Sequence, residues 1–240
     1  MLASLPVKPG RYAIPAGEPL QENVVLVILE SFASEYVGAL NNGVGYTPFL
    51  DSLASEGLLF RNSFANGRKS IEALPSILSG LPSLLPDPYI TSPYQSNTVY
   101  SAGHLLRNAG YTTAFFHGAI NGTMGFNQYT QMAGIQHYYG LDEYPSELRA
   151  KHFDGNWGIF DEPYLQYTVQ EMSTFPQPSS ALSSRSVHTS LIPCLPSTKA
   201  GSQKANWKYT SLWVMLIMPC GSFSRRLPSS PGTRTPCLYW

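Results

Sequence analysis

Asn23 through Glu30 (Asn-Val-Val-Leu-Val-Ile-Leu-Glu) constrain the fold more than any other stretch, as an unbroken β-branched and aliphatic run that stops on a carboxylate. A strand with one wet face would alternate apolar and polar residues. This one does not alternate, so it predicts a parallel strand covered on both faces. In sheets of that kind the chemistry gathers beyond the carboxyl ends of the strands. Glu30 therefore stands where a metal or a substrate would be met.

The next segments extend the pattern. Tyr46 to Ala54 offers Thr47 as N-cap, Pro48 at the first helical position and a leucine stripe, with Gly57 to end the helix. Leu58-Leu59-Phe60, with Phe64, reads as a short second strand. Ala65 to Gly80 is a turn feeding a helix that starts at or just after Ser70. A hydroxyl at a helix N-terminus, preceded by Arg68 and Lys69, is placed to attack or hold an anion. A proline-rich loop, Leu81 to Pro93, leads into a helix over Ala102 to Gly110 that its glycine terminates. Tyr111 to Gly118 is rich in β-formers and delivers His117 to a glycine turn. Strand and helix in alternation predict an α/β, doubly wound sheet. Residues 119–171 read as loops and short helices, with Trp157 to Pro163 as their most distinctive segment.

Composition divides the chain near Pro178. All 15 Asp and Glu lie at or before Glu171, whereas residues 179–240 hold seven Lys or Arg, no acid, and all three cysteines: Cys194, Cys220 and Cys237. The expected organisation is a linker over 1–20, an α/β domain over 21–178, and a basic Ser/Pro-rich, disordered tail over 179–240. Within that tail Leu212 to Met218 is an isolated apolar patch. The formal net charge of zero gives no reason to expect a nucleic-acid partner, and no protein partner is inferable. Met1 to Glu22 has no apolar core of a signal peptide, and no stretch approaches the ~20 apolar residues of a membrane span. The cysteines match no metal knuckle or redox pair.

Val27-Ile-Leu-Glu-Ser31, Thr47-Pro-Phe-Leu-Asp51, Gly67-Arg-Lys-Ser70, Phe115-Phe-His-Gly118 and Trp157-Gly-Ile-Phe-Asp-Glu162 occur in this order. Together they resemble the lipoteichoic acid synthase branch of the sulfatase and alkaline phosphatase superfamily, over about residues 21–178. The resemblance implies a metal-dependent transferase or hydrolase of phosphate or sulfate esters, lipid-linked substrates among them, that modifies cell-envelope polymers. It also implies an extracytoplasmic catalytic domain tethered to the membrane by N-terminal helices, and Met1 is expected to lie beyond them. A divalent ion, manganese or magnesium, would be held by Glu30, by the nucleophilic hydroxyl of Ser70, and by a later Asp-His pair. A bound dication lowers the pKa of a hydroxyl and neutralises ester oxygens, and oxygen ligands suit either metal. His117 and Trp157 would line the substrate pocket, with Arg68 beside it. Where the glycerophosphate synthases carry Trp and Arg beyond the histidine, this chain has Met124 and Phe126, so glycerophosphate is not the expected substrate.

Each residue also has a purely structural reading: Glu30 as a loop cap, Ser70 as a helix N-cap, His117 as a satisfied loop histidine, Trp157 as core, and Arg68 and Lys69 as solvated charges. A plain serine hydrolase is disfavoured because Ser70 lacks the Gly-x-Ser-x-Gly elbow. The tail could be a genuine basic arm for anionic surfaces.

No Asp follows Asp161 and only His188 follows His152, so the Asp-His pair is missing and the expected metal site is incomplete. Read in another codon frame, Pro178-Ser179-Ser180 permits Phe-Phe, and Trp207 to Gly221 permits an acid-containing, helix-like segment. A single-base slip near Pro178 is therefore expected, which would make this chain a truncated, catalytically silent product of an enzymatic family.

Overall fold

The computed structural model describes residues 21–30, 33–63, 65–184 and the backbone of 215–219. The apolar run becomes β1 (Val24–Ile28), joined in one sheet by β2 (Thr112–His117), β3 (His137–Tyr139), β4 (Ser179–Ser184) and β5 (Met215–Pro219). Their order is β3-β2-β4-β1-β5. The first four strands are mutually parallel, and β5 pairs antiparallel with β1 at the edge.

Helices cover both faces, which is why β1 can be apolar throughout. The helices are α1 (Pro48–Glu56), α2 (Ala73–Ser79), α3 (Ala102–Asn108), α4 (Phe126–Met132), α5 (Ser146–His152) and α6 (Asp161–Met172). Successive strand residues point to opposite faces. On one face Ile28, Phe115 and Leu182 pack with Leu74 and Leu78 of α2 and with Phe126 and Tyr129 of α4. On the other, Val25, Ala114, Phe116 and Ala181 pack with Tyr164, Tyr167 and Met172 of α6. Phe116 also stacks on Tyr139 of β3, with ring centroids 4.6 Å apart. The doubly wound α/β sheet expected from the strand pattern is the observed one.

Local signals hold where they rest on backbone chemistry. Pro48 opens α1 and Gly57 closes it. The Thr47 hydroxyl bonds the Asp51 carboxylate (3.3 Å) instead of a helix N–H. Gly80 ends α2 in the left-handed region (φ 64°), a conformation that costs a side-chain-bearing residue. Ser101 caps α3 by accepting the His104 N–H.

Three expectations are corrected. Leu58-Leu59-Phe60 forms no strand, and Leu58 and Phe60 lie exposed. This short run pairs with no strand among the described residues; Phe64 lies outside them. Residues 119–171 contain a strand, β3, alongside their helices.

The third correction concerns residues 179–240, expected as a disordered tail. Residues 179–184 form β4, the centre of the sheet, and the backbone of 215–219, within the expected apolar patch, forms β5. Hydrogen bonding explains β4: its backbone pairs with β1 on one side and β2 on the other, and Asn23 Oδ1 accepts the Ser179 N–H (2.7 Å) at its start. The linker 1–20, His188 and the three cysteines lie outside the described residues.

A chain stopped after Pro178 loses the strand between β1 and β2, and the expected result is loss of cooperative unfolding by circular dichroism; an unchanged melt would show β4 to be dispensable. In the full chain, Phe116→Ala is expected to cost about 3–5 kcal/mol by urea denaturation. Leu58→Ser, at an exposed position, should stay within about 0.5 kcal/mol.

Candidate active site at the carboxyl edge of the sheet

The ladder registers align the ends of three parallel strands: Ile28 of β1 pairs with Ser184 of β4, which pairs with His117 of β2. Glu30 follows two residues beyond Ile28 and is half-buried. Neighbouring strands lie about 4.8 Å apart, so the β1 and β2 ends are separated by roughly 10 Å across β4. Glu30 and His117 thus share one edge of the sheet, as the strand rule demands.

Ser70 is the first residue of a 3-10 turn (Ser70–Glu72) that runs directly into α2. The turn is anchored through Ile71 and Leu74, which pack in the same apolar cluster as Ile28 of β1. Ser70 itself is half-buried, and Arg68 and Lys69 before it are exposed. The approach to Ser70 is shaped by Glu72, whose carboxylate accepts the backbone N–H of Arg68 (2.6 Å) and Lys69 (3.0 Å). Burial works against ionising Glu72, but those N–H groups, the Ser83 hydroxyl and the Lys69 charge hold its carboxyl below the usual value. Gly67 makes room for this arrangement, since a Cβ there would lie 2.6 Å from the Glu72 Cβ.

His117 is only 3% exposed. Its Nδ1 lies 3.4 Å from the Ser184 carbonyl, its ring meets Phe126 edge-on at 5.0 Å, and its Nε2 has no hydrogen-bond partner among the described residues. Burial pushes the imidazole down to about 4, with the Ser184 carbonyl pulling the other way. It is therefore neutral at pH 7, able to accept one hydrogen bond or give one but not to supply charge.

Trp157 is not core: it is 40% exposed. Its loop is built around Asp154, whose Oδ1 accepts three N–H groups in succession, from Asn156 (2.9 Å), Trp157 (2.7 Å) and Gly158 (3.0 Å). Burial opposes the Asp154 charge, yet these amides hold its pKa below normal. Gly158 pairs with Ala119 just past β2, so close to the Gly118 carbonyl that no side chain fits. Trp157 is thereby held at the same edge that His117 enters.

The fold brings Glu30, His117 and the Trp157 loop to the carboxyl edge of the sheet, and Ser70 heads the turn before α2, which is anchored in the same apolar cluster as Ile28. Among the described residues no group of three or more His, Cys, Asp or Glu could hold a metal ion. Glu72 and Asp154 escaped the sequence reading as organisers of the site. Glu72 was detectable as a carboxylate three residues after Lys69, the spacing of a capping box. A groove of about 670 Å³ between α5 and α6 is lined by none of the four candidate residues.

The His117 environment predicts a pH dependence. The unfolded imidazole takes its proton near pH 6.5 and the folded one resists it to about pH 4. The unfolded state therefore binds more protons in that window, and stability falls as pH drops through it, by on the order of 3 kcal/mol. His117→Phe is expected to flatten the decline between pH 6.5 and 4.5 in denaturant titrations; an equally steep decline in the variant would remove His117 as its cause.

Comparison with known proteins agrees with this architecture. The chain is 28% identical over 167 residues to lipoteichoic acid synthase 2 of Bacillus subtilis, covering 68% of the chain and 25% of that protein. It is 27% identical over 131 residues to phosphoglycerol transferase I of Escherichia coli, covering 50% of the chain and 16% of that protein. It therefore spans a quarter or less of the length of these relatives. Among solved structures, an alkaline phosphatase superfamily protein from Vibrio parahaemolyticus superimposes with a TM-score of 0.60 at 22% identity, over 79% of this chain and 46% of that one. A lipoteichoic acid synthase from Listeria monocytogenes gives 0.55 at 21% identity, over 72% and 42%. These structural likenesses concern the fold. The sulfatase family profile matches residues 22–200, three quarters of the sequence and all of the parallel sheet, so the chain belongs to the sulfatase family.

Proposed function

We propose that this chain is part of the catalytic domain of a phosphoester transferase, with Ser70 as the nucleophile. The observation that carries the reading is the placement of a hydroxyl after two cations, on a turn anchored to the strand that ends in Glu30, in a sulfatase-family sheet. Attack of Ser70 Oγ on the phosphorus of a phosphodiester would break one P–O bond and release that alcohol, which takes up a proton in place of the one lost by the serine; the rest of the ester stays on Ser70 as a phosphodiester, and an acceptor hydroxyl then displaces it and regenerates Ser70. The relatives are named as a lipoteichoic acid synthase and a phosphoglycerol transferase, which favours phosphate over sulfate esters. Arg68 and Lys69 supply positive charge for the ester oxygens, and His117 and Trp157 belong to the substrate side.

A divalent cation, manganese or magnesium, would lower the pKa of a hydroxyl bound to it. Glu30 and Ser70 offer it two oxygen donors. The described residues do not complete such a site, so no step is assigned to a metal here. A lipid-linked substrate and a domain facing outward from a membrane belong to the same proposal. Among the described residues no helix is long and apolar enough to cross a membrane.

The incomplete donor set favours a second reading, in which the chain as written is catalytically silent. The composition of β4 supports it. A central parallel strand is ordinarily rich in Val, Ile and Leu, yet β4 reads Ser-Ser-Ala-Leu-Ser-Ser, with Ser179, Ser183 and Ser184 buried. Another codon frame permits Phe-Phe there, as expected if a single-base slip replaced the native continuation.

Calorimetry with manganese and mass spectrometry of Ser70 after incubation with a phosphodiester test both readings. The expected outcome is no saturable manganese uptake and no phosphodiester adduct on Ser70 in this chain. Both should be restored when the other frame is continued after Pro178, with Ser70→Ala then abolishing the adduct and Glu30→Gln weakening metal binding more than about tenfold. Stoichiometric manganese in the chain as written would overturn the silent reading, and an adduct that survives Ser70→Ala would overturn the nucleophile.

A further inference from the structure

The carboxyl edge is divided by charge. Arg68 and Lys69 stand immediately before Ser70, whereas no Lys or Arg occurs between Arg107 and Arg149, or between Lys151 and the end of β4 at Ser184. Those two cation-free stretches supply β2, β3, α4 and α6 and the loops that follow β2 and precede α6. The same region carries Asp142, Glu143, Asp154, Asp161 and Glu162. Arg149 directs its guanidinium to the carbonyls of Tyr144 (2.9 Å) and Asp142 (2.5 Å).

Among the described residues of this half five large apolar side chains face solvent: Leu148 (38% exposed) and Phe160 (36%) line the groove between α5 and α6, and Ile120 (51%), Trp157 (40%) and Met124 (36%) lie outside it, on the loops that follow β2 and precede α6. The antiparallel bridge between Ala119 and Gly158 makes Ile120 and Trp157 cross-strand neighbours. The frame that presents them is pinned at several points. The Ile159 N–H donates to Gly118 O (2.9 Å), the Leu141 N–H donates to Ala119 O (2.9 Å), and Asn121 bonds both Glu143 carboxylate oxygens (3.2 and 3.0 Å). Met124 is held at φ 54°, in the left-handed region that few non-glycine residues adopt. Phe126, two residues on, turns inward and is 1% exposed, edge-on to Phe115 and His117. Apolar side chains held outward by a rigid polar scaffold, at the mouth of a candidate site, mark a binding surface.

We infer that Ile120, Met124 and Trp157 form the subsite for the alcohol portion of the ester, and that this portion is an uncharged aryl or alkyl group. The inference rests on the phosphoester reading and specifies its substrate class. The anionic end of the substrate is directed to the Arg68–Ser70 side, and the apolar end lies across the sheet edge on the cation-free side. A polyanionic or polyhydroxylated alcohol portion would bring negative charge toward carboxylates, or lay hydroxyls on an apolar surface that cannot bond them.

The test is NMR titration of the whole chain with phenyl phosphate, glycerol phosphate and orthophosphate, observing the Ile120 and Met124 methyls, the Trp157 indole N–H and the Arg68–Ser70 amides. Phenyl phosphate is expected to shift the rim signals saturably and to bind about tenfold more tightly than glycerol phosphate. Ile120→Lys and Trp157→Ala, both at exposed positions and checked by thermal melts, should abolish the preference. Equal affinity for the two esters, or a preference that survives both variants, overturns the subsite. Amide shifts at Arg68–Ser70 without rim shifts also overturn it while leaving the phosphoester reading standing. Rim shifts with silent Arg68–Ser70 amides overturn that reading and leave an apolar site, and silence at both places overturns the two together.

Discussion

The pairing of β4 between β1 and β2 is the interaction on which the rest depends. It sets Ile28, Ser184 and His117 level at one edge, and so brings Glu30 and the loop after His117 onto the same side of the molecule. Without it β1 and β2 would lie in separate sheets, and the two apolar clusters would lose their common wall. The pairing is made mostly by backbone hydrogen bonds, because four of the six residues of β4 are serines. A strand of that composition contributes little hydrophobic burial and is held by its neighbours on both sides.

The edge so formed has two chemically different halves. On one side a short turn, shaped by the Glu72 carboxylate and by the space at Gly67, presents Ser70 after two cations. On the other, Asp154 gathers three amides and fixes a loop that carries Trp157 beside Ile120. Both devices use one carboxylate to satisfy consecutive backbone donors in an irregular segment, where no ladder or helix would otherwise satisfy them. His117 lies below the surface between them, neutral because its burial disfavours the charged imidazolium. This histidine therefore supplies no positive charge at the edge near neutral pH.

Much of this was legible from residues alone where the signal is local. The unbroken β1 run announced a strand covered on both faces; Pro48, Gly57 and Gly110 marked helix ends; Tyr111 to Gly118 read as the strand that forms over Thr112–His117. The proposed placement of Ser70 at a helix start matches the 3-10 turn that leads into α2. What failed was the inference from composition. Leu58 to Phe60 looked like a strand because it is apolar, but apolarity without a partner edge makes none. Ser179 to Ser184 looked like tail because it is polar, and became the central strand.

The sequence by itself determined the family and the doubly wound class, and it nominated Glu30, Ser70, His117 and Trp157 as candidates because each sits at a local boundary between regular structure and a turn. Only the tertiary structure decided that β4 lies between β1 and β2, that His117 is buried and neutral, and that Trp157 projects outward next to Ile120. Strand order, burial and cross-strand neighbours depend on contacts between residues far apart in the chain. No periodicity within a short window records them.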